Sequence, residues 1–218
     1  MGDDTGPEQL RLSTADGEEL ETELQLPDQP PFAAVVLAHP HPAQGGDMRS
    51  LVTSELFRTL PTLGFAALRF NFRGVGTSTG IHGGGLPERI DLLAAIDTLA
   101  ERFPDLALVV SGWSFGADVS LGIVHPRIAG WFAVAPPLRI LADDEFIAAA
   151  DPRPKVLAVA EHDQFNPPER CQRKIEEWEE TTLEVVAGAD HFLVGRTQRL
   201  ANQLHEFATG LDGAASSA

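Results

Sequence analysis

The sequence predicts an α/β protein with a mostly parallel central sheet, an N-terminal antiparallel hairpin and helices on both faces of the sheet. Short apolar runs rich in Val, Leu and Ala recur along the chain, which is typical of strands buried on both faces. Helical patterns separate these runs, and the alternation of strand and helix is typical of a parallel sheet. A segment in which apolar and polar residues alternate precedes the first apolar run, which indicates half-exposed strands.

The elements follow in a regular order along the chain. Leu10 to Ser13 and Leu20 to Leu26 lie on either side of Asp16-Gly17, a turn dipeptide that predicts a hairpin. Further strands are predicted at 33–38, 65–70, 106–110, 128–134, 156–160 and 183–186. Helices are predicted at 51–63, 86–103, 117–124, 167–178 and 197–208.

The length of 218 residues suits one domain with one substantial core. We expect this domain to span residues 10–209, with a disordered N-terminus at 1–9 and a flexible tail at 210–218. Residues 135–154, between two predicted strands, leave room for one short helix around 143–150. The sequence therefore predicts no substantial cap domain.

The composition excludes several classes of partner. The chain has 16 basic and 32 acidic residues, a net charge of −16, so nucleic acid and anionic membranes would be repelled. The single cysteine, Cys171, excludes an intrachain disulfide, and its place in a helical segment predicts a packed residue. The acidic start does not resemble a secretory signal and the apolar runs are too short to span a membrane, so we expect a cytoplasmic protein.

A serine between two glycines organises the site. The apolar run 106–110 is followed by Ser111, Gly112-Trp113-Ser114-Phe115-Gly116 and a helical pattern, which predicts a strand, a sharp turn and a helix. Glycines two residues either side let the strand and the helix approach closely. Ser114 is the candidate nucleophile, and the backbone N–H of Phe115 is a candidate donor to an oxyanion.

Two further residues complete a catalytic arrangement. A serine nucleophile needs a base, and the base needs a carboxylate that orients it. Asp163 and His191 each follow a predicted strand, and the carboxyl ends of parallel strands meet at one edge of a sheet. The chain order Ser114, Asp163, His191 therefore predicts a Ser-His-Asp triad.

Each member has a simpler interpretation. Asp163 is also a suitable cap for the helix near Pro167, and His191 is also compatible with an ordinary loop. Asp143 and Asp144 follow the preceding strand and are reserve candidates for the acid. His125 and His205 do not follow strands, and Glu161 and Asp190 are expected to point away from the site.

These motifs together resemble the small α/β-hydrolases of serine-esterase type that have no lid. The likeness covers residues 10–208 and rests on the following segments: Val35-Val36-Leu37-Ala38-His39-Pro40-His41-Pro42, Arg69-Phe70-Asn71-Phe72-Arg73-Gly74-Val75-Gly76-Thr77-Ser78, Gly112-Trp113-Ser114-Phe115-Gly116, Asp163 before Pro167-Pro168, and Ala189-Asp190-His191-Phe192. The resemblance implies the α/β-hydrolase fold and places the second oxyanion donor after the strand 33–38. That donor is the backbone N–H of His41, because Pro40 and Pro42 have none. Pro40 stands where such hydrolases often have glycine.

Three other motifs have weaker functional interpretations. The pair His39 and His41 lacks the following Asp-His of a metal site, so no metal is expected. His82-Gly83-Gly84-Gly85 comes one strand too late for an oxyanion loop, and a mobile loop at the pocket rim is favoured. Gly74 to Gly80 lacks the third glycine of a dinucleotide motif, and Arg73 is expected to anchor this loop. No cofactor is predicted.

The predicted activity is the cleavage of carboxylic esters that are short or exposed. The absence of a cap predicts an open pocket, and Trp113, Phe115, Phe165 and Phe192 predict an apolar one. The alternative is a noncatalytic binding or regulatory protein on the same scaffold. The expected partner is a small-molecule ester; the sequence does not determine the acyl length, the oligomeric state or whether the 80–85 loop gates the pocket.

Overall fold

A computed structural model describes residues 6–215, with side chains described to residue 211. It contains the strands β1 (Glu8–Ser13), β2 (Glu19–Gln25), β3 (Ala33–Ala38), β4 (Phe65–Phe70), β5 (Ala107–Trp113), β6 (Ile128–Val134), β7 (Lys155–Ala160) and β8 (Thr181–Val186). The helices are α1 (Leu51–Thr59), α2 (Glu88–Arg102), α3 (Phe115–Leu121), α4 (Pro168–Lys174) and α5 (Thr197–Ala215).

The eight strands form one sheet in the order β1-β2-β4-β3-β5-β6-β7-β8. The β1–β2 and β2–β4 pairs are antiparallel, and all pairs from β4 to β8 are parallel. The predicted fold class, with its antiparallel hairpin and mostly parallel sheet, is therefore confirmed. The carboxyl ends of β3, β5, β7 and β8 share one edge of the sheet, where the predicted site residues follow.

Helices cover both faces of the sheet because successive strand residues point to opposite sides. Val36 and Val110 pack on the face that is covered by α2, α3 and α4. Val35 and Val109 pack on the opposite face, against α1 and α5. β3 is buried throughout and β5 is buried from Leu108 onward, and each fully buried Val or Leu side chain contributes roughly 1.5–3 kcal/mol. The core therefore holds the strand ends, and the loops that follow them, in place.

The ends of the folded chain differ from the predicted domain of 10–209. β1 begins at Glu8, which pairs with Leu24 and forms an ion pair with Arg102. α5 continues to Ala215. Leu211, beyond the predicted end, packs against the same apolar cluster as Leu204 and Ala208, and no proline interrupts the helix. The remaining parts of the predicted flexible ends, residues 1–5 and 216–218, lie outside the described residues.

The connection between β6 and β7 contains only two short 3-10 turns, Asp143–Glu145 and Ile147–Ala150. The sequence predicts a single short helix there. Phe146 separates the turns with a ψ of 63°, and its buried ring packs 5.8 Å from the ring of Trp178. The expected absence of a cap domain is confirmed in this part of the described chain.

Within residues 6–215, no helix combines the length and the apolar character that crossing a bilayer requires.

Candidate active site

Ser114 lies at the apex of the turn between β5 and α3. Its backbone adopts a φ of 55° and a ψ of −114°, which is a sparsely populated region for a residue with a side chain. The Ser114 N–H donates to the carbonyl of Val134 at 2.9 Å, so the neighbouring strand holds the turn. The side chain lines a cavity at the carboxyl edge of the sheet.

The two flanking glycines are required by close backbone contacts. A Cβ atom on Gly112 would lie 2.3 Å from the carbonyl carbon of Gly116. A Cβ atom on Gly116 would lie 2.5 Å from the carbonyl oxygen of Ala38. Both distances are far shorter than van der Waals contact, so only glycine lets α3 start this close to β5 and to the end of β3.

Asp163 follows β7 and is 3% exposed. Its Oδ1 atom accepts the N–H groups of Phe165 at 2.8 Å and Asn166 at 3.0 Å. The side-chain amide of Asn166 in turn donates to the carbonyl of Pro136 at 2.9 Å. These bonds fix the carboxylate so that its second oxygen, Oδ2, faces His191.

His191 follows β8 and is 5% exposed. Its Nδ1 atom lies 2.8 Å from Oδ2 of Asp163, and its Nε2 atom lies 3.0 Å from Oγ of Ser114. The carboxylate of Asp163 accepts a hydrogen bond from a protonated Nδ1, which leaves Nε2 as the acceptor for the Ser114 hydroxyl. The structure thus brings the three predicted side chains into one hydrogen-bonded row.

Aromatic packing and a hydrogen bond to its backbone carbonyl hold His191 in place. The ring of Phe165 lies 4.5 Å from the ring of His191, edge to face. The indole N–H of Trp113 donates to the carbonyl of His191 at 3.2 Å. Trp113 immediately precedes Ser114, so this bond connects the serine turn directly to the histidine loop.

The other acids and histidines considered from the sequence lie elsewhere. Asp143 is exposed and forms an ion pair with Lys174. The Glu161 carboxylate accepts from Gly188 N–H, and that of Asp190 accepts from Phe192 N–H. The rings of His125 and His205 face Asp97 and Phe32 respectively.

The two backbone amides proposed from the sequence as oxyanion donors border the same cavity as Ser114. His41 lies in the loop after β3, and Phe115 is the first residue of α3. Within the described residues, neither N–H donates to a protein acceptor. The geometry leaves both groups available to a bound ligand, and their catalytic role stays a prediction.

His39 fixes the unusual loop that has proline at position 40. Its Nδ1 atom lies 2.7 Å from the carbonyl oxygen of Pro40, and its Nε2 atom accepts the N–H of Phe72 at 3.0 Å. Burial lowers the pKa of His39 to about 4, so the imidazole is neutral near pH 7. The loop returns close to its own start at Gly46. A Cβ atom on Gly46 would lie 2.3 Å from the Pro40 carbonyl oxygen, so only glycine fits at this position.

The 80–85 loop is tied to Glu88 rather than placed in the cavity wall. The buried carboxylate of Glu88 accepts the N–H groups of Gly83 and Gly85, each at 2.7 Å, and lies 2.7 Å from Nδ1 of His82. The His82 ring packs 5.2 Å from that of His41. The 80–85 loop, which was predicted at the pocket rim, is therefore not part of the cavity lining and instead packs against the lining residue His41. Sequence reasoning missed Glu88, whose only sequence signal is its place at a helix start.

Arg73 anchors its loop, as the sequence predicts. Its guanidinium is buried and donates to both Asp91, at 2.7 Å, and Asp16, at 2.8 Å. Gly74 and Gly76 follow in turns with positive φ. Cys171 is also buried as predicted, and burial raises the pKa of its thiol to about 12.

The cavity has a volume of about 260 Å³, which is small for a ligand site. Its walls are predominantly apolar and include all four aromatic residues expected from the sequence. The lining residues are Pro40, His41, Gln44, Gly45, Gly46, Ser50, Leu51, Trp113, Ser114, Phe115, Pro137, Arg139, Ile140, Phe165, His191 and Phe192.

Asp118 organises one wall of this cavity. It lies one helical turn after Ser114, is fully buried, and accepts the N–H groups of Leu138, Arg139 and Ile140 at 2.9–3.0 Å. Burial raises the pKa of Asp118 to about 6. Sequence reasoning missed Asp118, whose only sequence signal is an acid four residues after the serine.

No family model matches the sequence. An uncharacterised protein of Rickettsia prowazekii is 28% identical over 187 residues, which cover 81% of this chain and 78% of that protein.

Solved structures share the fold. An α/β serine hydrolase homologue from Coxiella burnetii is similar with a TM-score of 0.81 and 28% identity, over 91% of this chain and 96% of that one. A Xanthomonas campestris protein described as an α/β serine hydrolase without a lid is similar with a TM-score of 0.80 and 26% identity, over 93% of both chains. These likenesses confirm the predicted fold and type, and they support a hydrolase.

Proposed function

We propose that this chain, a small α/β-hydrolase without a lid, cleaves carboxylic esters through Ser114, His191 and Asp163. The observation that carries the proposal is the row of two hydrogen bonds from Asp163 to His191 and from His191 to Ser114, at 2.8 Å and 3.0 Å. The row ends at a cavity that holds space for a small ligand.

The first half of the reaction transfers the acyl group to the protein. Ser114 Oγ attacks the ester carbonyl carbon while Nε2 of His191 takes the hydroxyl proton, and Asp163 stabilises the imidazolium that forms. The carbonyl oxygen becomes an oxyanion, which the N–H groups of His41 and Phe115 stabilise. The bond to the alcohol oxygen then breaks, and His191 gives its proton to the departing alkoxide.

The second half regenerates the serine. A water molecule gives a proton to Nε2 of His191 as its oxygen attacks the acyl carbon, and the oxyanion forms again between the same two amides. Collapse of this intermediate breaks the bond to Ser114 Oγ, which recovers the proton from His191. The products are one carboxylic acid and one alcohol, and the net reaction consumes one water molecule.

The cavity supports small or protruding ester groups as substrates. A volume of about 260 Å³ accommodates a short acyl chain rather than a long lipid chain. The rim residues Leu51 and Phe192 are 42% and 49% exposed. An ester on the surface of a larger molecule can therefore reach Ser114 without the opening of a cap.

A fluorophosphonate probe and a panel of esters of graded acyl length test the proposal. We expect the probe to label the protein and Ser114→Ala to abolish labelling and turnover. Ser50→Ala is the matched control, because Ser50 lines the same cavity but its hydroxyl accepts the N–H of Asp47 rather than facing a base. Labelling that persists in Ser114→Ala would refute the proposed nucleophile. A labelled protein that cleaves no ester in the panel would favour a binding role.

A further inference from the structure

One charged side chain other than the histidines lines the cavity, and it is Arg139. Among the lining residues, all of which lie in the described part of the chain, there is no Asp, Glu or Lys. This is unusual for a chain with 32 acidic and 16 basic residues. The cavity therefore carries a local positive charge, although the chain as a whole has a net charge of −16.

Two neighbouring side chains, Asp118 and Phe165, position Arg139. Its backbone N–H donates to the buried carboxylate of Asp118 at 2.9 Å. Its guanidinium lies 5.3 Å from the ring centre of Phe165, in cation–π geometry. The same Phe165 ring packs against His191 at 4.5 Å, so one aromatic side chain connects the cation to the proposed base.

Several arginines of the chain pair with carboxylates, whereas the side chain of Arg139 does not. Arg69 pairs with Glu23, Arg73 pairs with Asp16 and Asp91, and Arg153 pairs with Asp151. Over residues 6–211, the side chain of Arg139 forms neither an ion pair nor a hydrogen bond to another protein group. It is exposed and keeps all five of its N–H donors for a ligand.

We propose that Arg139 selects esters that carry a carboxylate, such as the half-esters of short dicarboxylic acids. This proposal rests on the proposed ester hydrolysis and specifies its substrate class. A guanidinium binds a carboxylate with paired, charge-assisted hydrogen bonds. The apolar walls fit the hydrocarbon part between the two carbonyl groups, and Arg139 receives the free carboxylate while the ester group lies against Ser114.

Matched anionic and neutral esters test the proposal. The first series compares monoethyl succinate, glutarate and adipate with the corresponding diethyl esters, with ethanol release as the measurement. The second series compares 4-acetoxybenzoate with its methyl ester, which places the charge on the alcohol side. We expect kcat/KM for the anionic member to exceed that of its neutral partner by about tenfold in at least one series.

Three variants connect this preference to Arg139. Arg139→Gln should reduce the anionic-to-neutral ratio of kcat/KM to about one, and Arg139→Lys should retain part of the preference. Arg199→Gln removes one exposed positive charge from α5, outside the cavity, and should leave the ratio unchanged. Added salt should weaken the preference, because an exposed guanidinium is screened.

A second measurement does not depend on turnover. Monomethyl glutarate should slow fluorophosphonate labelling of the unmodified protein more strongly than dimethyl glutarate does, and Arg139→Gln should remove the difference. No anionic preference in either series, or a preference that Arg139→Gln leaves intact, would overturn the proposal while ester hydrolysis stands. A protein that cleaves neither neutral nor anionic esters would overturn the proposed function itself.

Discussion

The carboxylate of Asp163 is shared between the backbone of its own loop and the imidazole of His191. Oδ1 accepts two loop amides, and Oδ2 lies 2.8 Å from Nδ1 of His191. Sequence reasoning weighed two interpretations of Asp163, a local turn residue and the acid that orients a base. The structure shows that the two interpretations are compatible, because the hydrogen bonds from the loop amides to Oδ1 orient the carboxylate so that Oδ2 faces His191.

Replacing Asp163 by Asn should lower kcat/KM for ester cleavage by about 10³–10⁴-fold. An Asn side-chain amide donates to Nδ1, which moves the imidazole proton to Nε2 and removes the acceptor for the Ser114 hydroxyl. Steady-state ester kinetics measure the effect. Asp190→Asn is the control, because an Asn carbonyl can still accept the Phe192 N–H, and activity should stay within about twofold. Retention of more than about a tenth of the activity in Asp163→Asn would contradict the assigned role.

Asp118 should give the protein a distinctive pH dependence of stability. Burial raises its pKa from 3.8 to about 6, so the folded state binds this proton more tightly than the unfolded chain does. The contribution of Asp118 to stability is therefore most favourable below pH 4 and is lost as the pH rises through 6. The full shift corresponds to about 3 kcal/mol.

Urea unfolding of the unmodified protein and Asp118→Asn between pH 4 and 7 measures this contribution. The stability difference should move in favour of the unmodified protein as the pH falls through this window. Asp16→Asn is the control. Arg73 lowers the pKa of Asp16 to about 2, so its contribution is lost only at lower pH and its stability difference should change little in this window. A difference for Asp118→Asn that does not change with pH would show that the carboxyl titrates normally.

Arg73→Ala should reduce the free energy of unfolding by about 3–5 kcal/mol. The substitution leaves the fully buried carboxylate of Asp91 without its cation, in a place where burial already raises the pKa of Asp91. Chemical denaturation near pH 7 measures the loss. Arg58→Ala removes an exposed pair with Glu55 and should cost far less stability than Arg73→Ala, because solvent screens exposed pairs. Equal losses in the two variants would refute the anchoring role of Arg73.

Gly116→Ala should impair both stability and ester cleavage. The new methyl group would lie 2.5 Å from the Ala38 carbonyl oxygen, so α3 must move away from β3. We expect a loss of about 1–3 kcal/mol and loss of labelling at Ser114, because the helix start carries the Phe115 amide. Thermal unfolding and probe labelling measure the two effects. Gly210→Ala, which meets open space in α5, should leave labelling unchanged; normal labelling in Gly116→Ala would contradict the tight contact.

Elements with a strong local pattern were predicted well. The strands at 33–38, 65–70 and 128–134 have the predicted bounds, because continuous apolar runs between turn residues have few other stable placements. Helix ends were predicted less well. The helical pattern 51–63 divides into α1 and a 3-10 turn at Leu60–Leu63, since Pro61 cannot supply the N–H that an α-helix needs there.

The candidate site residues also differ in how well the sequence predicts them. Ser114, Asp163 and His191 were identified because each follows a strand and their residue types suit one reaction. Asp118 and Glu88 were missed, because a carboxylate that accepts backbone amides from a distant loop has no periodicity or motif of its own. The 80–85 loop was expected at the pocket rim, and only the position of Glu88 shows why it stays behind the wall.

The sequence by itself determined the order of strands and helices, the strained serine turn and the chemical identity of the candidate nucleophile, base and acid. These properties depend on backbone sterics and burial patterns that are local in the chain. Tertiary structure alone decided that His191 reaches Ser114 across 77 residues and that Arg139 enters the same cavity without a carboxylate partner. Such contacts depend on how loops from separate strands pack against one another, and no local pattern records that packing.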